Sequence, residues 1–191
     1  MLNGTNNSFK RILYYNPIIE EGVKLNNNYR PILKLRKTKS EWMWDVIGGA
    51  LFIGTIAFIV FSWNSIPDKV PGHYNALGEV DRWGSKYELL VLPIVGFILW
   101  GLMNTLEKFP HVHNYPERLN EMNVEAFYLN SRKLLNSMKN VCLLTFAYLM
   151  FQTIRVALGD IESLGLWFLP VMLIVFAGII IRGLIKSSRI K

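Results

Sequence analysis

Four runs of almost pure hydrocarbon constrain this chain more than any other feature. Residues 46–63 read VIGGALFIGTIAFIVFSW and residues 89–106 read LLVLPIVGFILWGLMNTL, both without a charge. Residues 141–158 hold one charge, Arg155, and residues 164–181 hold none, in a fourth span drawn over 164–185. A membrane helix needs about 20 mainly apolar residues to cross roughly 30 Å of hydrocarbon. A soluble core helix would instead show a polar face every 3.6 residues, and these runs show none. The 51% apolar content is therefore gathered into spans. The first run is not a signal peptide, because signal peptides are N-terminal and shorter. The single Cys142 falls inside the third run, so it serves packing and allows no intrachain disulfide or multi-cysteine metal site.

The chain carries a net charge of +7, and the placement of its basic residues orients it. Eight Lys and Arg precede the first run, five lie between the second and third, and four follow the fourth. The segment after the first run has three, Lys69, Arg82 and Lys86, and Arg155 lies close to the last turn. The excess of Lys and Arg on one side places both termini in the cytoplasm. The expected fold is an all-α integral membrane protein with four transmembrane helices, both termini cytoplasmic, an ordered outer loop and an amphipathic inner helix. Its boundaries are a flexible basic tail over 1–40, a membrane domain over 41–191, an outer loop over 64–88 and an inner loop over 107–140.

The tail is Asn-rich, and its NGT and NNS triplets at Asn3 and Asn6 are chance glycosylation matches in a cytoplasmic segment. Lys34, Arg36, Lys37 and Lys39 act as a topology signal next to the bilayer. His111, His113, Asn114, Tyr115 and Pro116 form an inner-loop motif, within which Asn114 and Pro116, with Glu117 after them, resemble a helix start. Leu119, Met122, Ala126, Leu129, Leu134 and Met138 then recur at helical spacing, as an amphipathic helix running into the third span. His111 and His113 could chelate, but a metal needs three or four ligands, so they are read as loop histidines. Arg155 is the one ionisable group within a run; it is expected to snorkel outward or pair with Asp160 or Glu162. Pro93 and Pro170 are expected to kink the second and fourth spans.

The outer loop reads IPDKVPGHYNALGEVDRWGSK over residues 66–86. Pro67 and Pro71 stiffen its start. Asn75 can fold onto its own backbone, and Gly78 can take a positive φ. Trp83, Lys86 and Tyr87 suit a membrane interface. His73, Asn75, Glu79, Asp81, Arg82, Trp83 and Lys86 are the candidate ligand-binding residues, with no catalytic spacing among them.

The pattern formed by Ile66, Pro67, Lys69, Pro71, His73-Tyr74-Asn75, Gly78-Glu79 and Asp81 through Lys86, followed by Leu92-Pro93, resembles the bacterial domain of unknown function 1648. A weaker inner motif, from Asn114 through Asn123 to Tyr128, is similar to a segment of the same family. The domain also forms the N-terminal part of SdpI-type immunity proteins. The resemblance implies a small multi-spanning protein of a bacterial plasma membrane, with His73, Asn75, Gly78, Asp81, Arg82, Trp83 and Lys86 as family positions. SdpI-type relatives protect a cell from a secreted peptide toxin and hold a repressor at the membrane.

The favoured reading is a non-enzymatic membrane protein whose outer loop senses, or gives immunity to, a peptide or envelope stress. A second is a subunit or chaperone of a membrane complex, resting on the small residues Gly48, Gly49 and Gly54 in the first span. A third is a membrane-embedded metal-dependent enzyme using His73, Glu79 and Asp81. No cofactor is expected. The expected partners are the lipid bilayer, an extracellular peptide, and a cytoplasmic regulator or membrane-protein partner. Direct nucleic-acid binding is not expected, since no recognition module is present.

Overall fold

The computed structural model of the protein describes residues 30–191. The tail reading and its two glycosylation matches fall largely on residues 1–29, outside the described residues. Four helices follow: α1 (Lys39–Ser62), α2 (Val91–Lys108), α3 (Val124–Ala157) and α4 (Phe168–Ser188). All four are long and apolar enough to cross a membrane, with a 3-10 turn, Lys86–Leu90, extending α2 at its start. Between α1 and α2 stands an antiparallel hairpin, β1 (Lys69–Tyr74) and β2 (Val80–Ser85), which the all-helical expectation did not contain.

The bundle is organised around α3, on which α1, α2 and α4 each pack. The reason is visible along one stripe of α3. Asn136, Asn140, Leu143, Ala147, Met150 and Ile154 alternate steps of four and three, and every one is at most 7% exposed. That spacing puts them on one seam facing the neighbouring helices. Its half nearer the hairpin is apolar and joins Phe52 and Ile59 of α1, Leu89, and Ile66 and Val70 below the hairpin in one core.

Helix ends differ from the apolar runs. α1 starts seven residues before its hydrophobic run, because Thr38 and Glu41 form a reciprocal capping box. The Thr38 backbone N–H donates to Glu41 Oε2 at 2.7 Å. The third helix does not begin at Asn114. Residues 114–116 are irregular and exposed or half-buried, and α3 begins at Val124. Tyr115 turns inward instead, meeting Phe127 edge-on and Tyr128 at a tilt and donating its hydroxyl to the Pro110 carbonyl at 2.7 Å. Nor is the Leu–Met row the buried side of early α3: Met122 is 92% exposed, while Arg132, Asn136 and Lys139 are buried. Pro93 and Pro170 each stand third in their helices, α2 and α4. In the first turn a missing N–H removes no intrahelical bond, so Pro170 begins α4 rather than kinking it mid-span, while Pro93 stands where the Lys86–Leu90 3-10 turn passes into α2.

Residues 30–38 have no regular secondary structure, yet they are tied down. Arg132 donates to the carbonyls of Leu35 at 2.7 Å and Arg36 at 2.8 Å, and Arg30 donates to that of His113 at 3.0 Å.

Candidate functional site

The hairpin is built around its turn. The Asn75 side-chain oxygen accepts from the backbone of Leu77 at 2.9 Å and Glu79 at 3.0 Å. Gly78 adopts φ of 80° and approaches Gly165 so closely that a Cβ there would lie 2.7 Å from the Gly165 carbonyl oxygen. Both features match the turn chemistry of the sequence. The tip is also stitched to the segment before α4: Leu164 N–H donates to the Gly78 carbonyl at 2.8 Å, and Glu79 bridges to Ser163. Asn75 is thus a structural residue, and it holds Glu79 as well, donating to its carboxylate at 2.8 Å.

The other candidates form pairs. His73 Nδ1 lies 2.7 Å from Asp81 Oδ1, across the strands. Arg82 donates to both oxygens of Glu88, at 3.2 and 2.8 Å, and to the Gly72 carbonyl at 2.7 Å. This fork-like grip raises the already high Arg82 pKa through the Glu88 hydrogen bond. Lys86 pairs with Asp68 and lies over the Trp63 ring, which also meets Tyr87. Trp83 is 52% exposed, as an interface residue would be.

Beneath the hairpin lies a cavity of about 710 Å³, a size typical of small-molecule sites. Pro71, Gly72, His73, Tyr74 and Asn75 line its hairpin side, together with Arg82 and Glu88. The rest of its wall includes Leu92 of α2, Leu149, Met150 and Thr153 of α3, and Phe168 and Leu169 of α4. Tyr74 donates its hydroxyl to Thr153 at 3.1 Å, joining the hairpin to α3. Burial raises the Tyr74 pKa above its ordinary 10.0, so the hydroxyl remains a donor at neutral pH. The structure therefore brings His73, Asn75 and Arg82 to one cavity, holds Asp81 and Glu79 behind the first two, and leaves Trp83 and Lys86 in contacts of their own. Among the described residues no three His, Cys, Asp or Glu side chains come together as a metal site.

The opposite end of the bundle holds a constellation that counting charges within the apolar runs did not find. Asp45 of α1, Glu107 of α2, Lys139 of α3 and Lys37 close a ring. Lys139 lies 2.7 Å from Glu107 and 2.9 Å from Asp45; Lys37 lies 2.8 Å from Glu107 and 2.6 Å from Asp45. Two cations cancel two anions, and each ammonium has two carboxylate acceptors. Asn136 and Asn140 donate to Asp45 at 2.7 and 2.9 Å. Beside the ring, Arg132 pairs with Glu41 at 2.9 Å, both side chains 3% exposed. Arg155 is therefore not the one ionisable group in the helices. It also makes no ion pair with Asp160 or Glu162 within 4 Å; it donates to Gln152 at 3.3 Å and lies over Phe151. Between ring and cavity the α3 seam consists of Leu143, Ala147 and Met150, an apolar plug.

The inner-loop histidines are separate. His113 Nε2 meets the Leu106 carbonyl at 3.1 Å, so it is the donor nitrogen, and Nδ1 meets Ser131 Oγ at 2.5 Å. Burial lowers the His113 pKa. His111 packs edge-on against Phe109. Asn114 and Pro116 are exposed. Tyr115 is half-buried, and that burial pushes its pKa up to about 12.

Fold and site together define a multi-pass membrane protein with a hairpin-roofed cavity at one end and a neutralised ionic ring at the other. Residues 50–97, from α1 through the hairpin into α2, match the family described as domain of unknown function DUF1648. An uncharacterized protein of Archaeoglobus fulgidus is 36% identical over 77 residues, a match covering 39% of this chain and 40% of that relative's length. No solved structure matches the chain.

Proposed function

We propose that the protein is a non-enzymatic membrane receptor whose hairpin end faces outward and recognises a peptide or another envelope component. The observation that carries this reading is the half-open cavity of about 710 Å³ between the hairpin and the helices. Its rim gathers His73 and Arg82, while no nucleophile–base pair or metal cluster stands among the described residues that line it. The distribution of Lys and Arg supports the outward orientation. The resemblance of the hairpin sequence to a domain that SdpI-type immunity proteins also carry supports a peptide or envelope stress as the signal. The apolar plug between the two ends speaks for sensing rather than a polar conduction path.

The test compares cells lacking the protein with cells complemented by wild type or by the combined variant His73→Ala, Asp81→Ala, Arg82→Ala. They are challenged with membrane-active peptides and cell-envelope inhibitors. Wild type is expected to restore tolerance or a transcriptional response that the triple variant does not. Identical behaviour of all three strains across the panel contradicts the reading.

A further inference from the structure

The cavity is unlike an aqueous binding site in how its polarity is arranged. The charged side chains lie at the hairpin side, and the part formed by the helices is Leu92, Leu149, Met150, Phe168 and Leu169, with Thr153 bound to Tyr74. α3 is its back wall, and α2 and α4 flank it. Helix α1 contributes nothing to the lining. α2 and α4 each pack on α3 and both line the cavity, so the side away from α3 lies between these two helices. Val91, at that edge, is 52% exposed. Both helices are long and apolar enough to cross a membrane, and the medium beside such helices is lipid hydrocarbon.

The polar groups at the rim already have partners. Arg82 is gripped by Glu88, and His73 is paired with Asp81. An anionic ligand would have to compete with Glu88 for Arg82, and a cationic one would meet the Arg82 guanidinium itself; desolvating an unpaired charge is costly. Hydroxyl, carbonyl and amide groups remain suitable partners for His73, Tyr74 and the exposed hairpin backbone.

We propose that this cavity seats the hydrocarbon chain of an amphiphile with an uncharged or zwitterionic head, entering sideways from the bilayer between α2 and α4. The chain lies against Leu149, Met150 and Phe168, and the head rests under the hairpin. This deepens the receptor reading and rests on it, narrowing the envelope component to a lipid-like molecule. A membrane lipid and a secreted lipidated compound share this chemistry.

The experiment uses the full chain in nanodiscs doped with a zwitterionic phospholipid carrying a diazirine near the end of one acyl chain. Adducts are mapped by mass spectrometry after illumination. The expected result is an adduct concentrated on the segments of α3 and α4 around Leu149 and Phe168. Leu149→Trp, which fills the cavity, is expected to lower it about tenfold, a loss of about 1.4 kcal/mol of binding, with thermal melting confirming a folded variant. An anionic phospholipid with the same label is expected to label these segments less. A second arm competes the probe with unlabelled membrane lipid or with an organic extract of culture medium, which distinguishes the two sources. Adducts spread evenly over the lipid-facing surfaces and unchanged in Leu149→Trp overturn the proposal. If that result is accompanied by peptide-dependent protection of the hairpin in hydrogen exchange, the receptor reading stands and the lipid-like ligand falls. If neither lipid nor peptide binds, both fall.

Discussion

The Lys139 ammonium is held 2.7 Å from the Glu107 carboxylate, and both side chains are only 1% exposed. Their burial is tolerable because the ring with Asp45 and Lys37 leaves no net charge. Removing one partner of a buried pair typically costs about 3–5 kcal/mol, whereas removing both can be nearly neutral. Lys139→Met alone is therefore expected to depress the melting temperature of the detergent-solubilised protein sharply. Lys139→Met with Glu107→Gln, which leaves Lys37 and Asp45 balanced, is expected to recover much of the loss. Equal destabilisation in the single and double variants would show that the charge balance is not what matters.

Gly48 permits the close approach of α1 to α3. A Cβ at Gly48 would lie 2.5 Å from Asn140 Oδ1, while one at Gly49 would meet nothing within 4 Å. Gly48→Ala is expected to cost about 1–3 kcal/mol through overpacking, and Gly49→Ala to leave stability unchanged or slightly raised through helix propensity. Thermal melting of the two variants decides it. This use of Gly48 inside the chain also removes one of the three small residues on which a subunit role was rested.

His113 gives the inner loop a pH response. Burial lowers its folded pKa below the ordinary 6.5, so the unfolded chain binds the proton first as pH falls. Its contribution is present above about pH 6.5 and is lost as pH falls toward the folded pKa. Melting temperatures at pH 7.5 and 5.5 are expected to differ more for wild type than for His113→Gln. The same acid shift in both proteins would assign the response elsewhere.

Arg82 clamps the hairpin to the start of α2 through Glu88 and to β1 through the Gly72 carbonyl. All these groups are exposed or half-buried, so Arg82→Ala is expected to leave the global melt nearly unchanged. Amide hydrogen exchange over Lys69–Tyr74 is expected to quicken selectively, and Arg82→Lys, which lacks the planar fork, to restore protection only in part. Unaltered exchange across β1 in Arg82→Ala would deny it the clamping role.

What was legible in the sequence was local. Each span is a continuous apolar run, and the hairpin turn announces itself through Asn75 and Gly78, whose chemistry acts within a few residues. The strands themselves were hidden because Pro71, Gly72 and Gly84 interrupt any clean alternation. The ionic ring was missed for a different reason. Asp45, Glu107 and Lys139 lie one or two residues outside an apolar run and Lys37 lies nine before the first, so a search for charges within runs stopped short of all four. Only tertiary packing joins them. One signal was available: the three-four spacing of Asn136, Asn140, Leu143, Ala147, Met150 and Ile154 marks a buried stripe that turns polar at one end, and a polar end requires partners on the neighbouring helices. The pairing of His73 with Asp81 also had to await the strand register, since a bulge at His73 shifts the match.

The central claim is that the hairpin and its cavity face the outside of the cell. It is tested by replacing the single Cys142 with Ala and introducing Ala76→Cys at the exposed hairpin tip or, separately, Lys191→Cys at the exposed far end. Intact cells are then treated with a membrane-impermeant maleimide. The predicted result is labelling of the Ala76→Cys protein in intact cells and of the Lys191→Cys protein only after permeabilisation. Labelling of Lys191→Cys in intact cells, with Ala76→Cys protected until the membrane is opened, would contradict it.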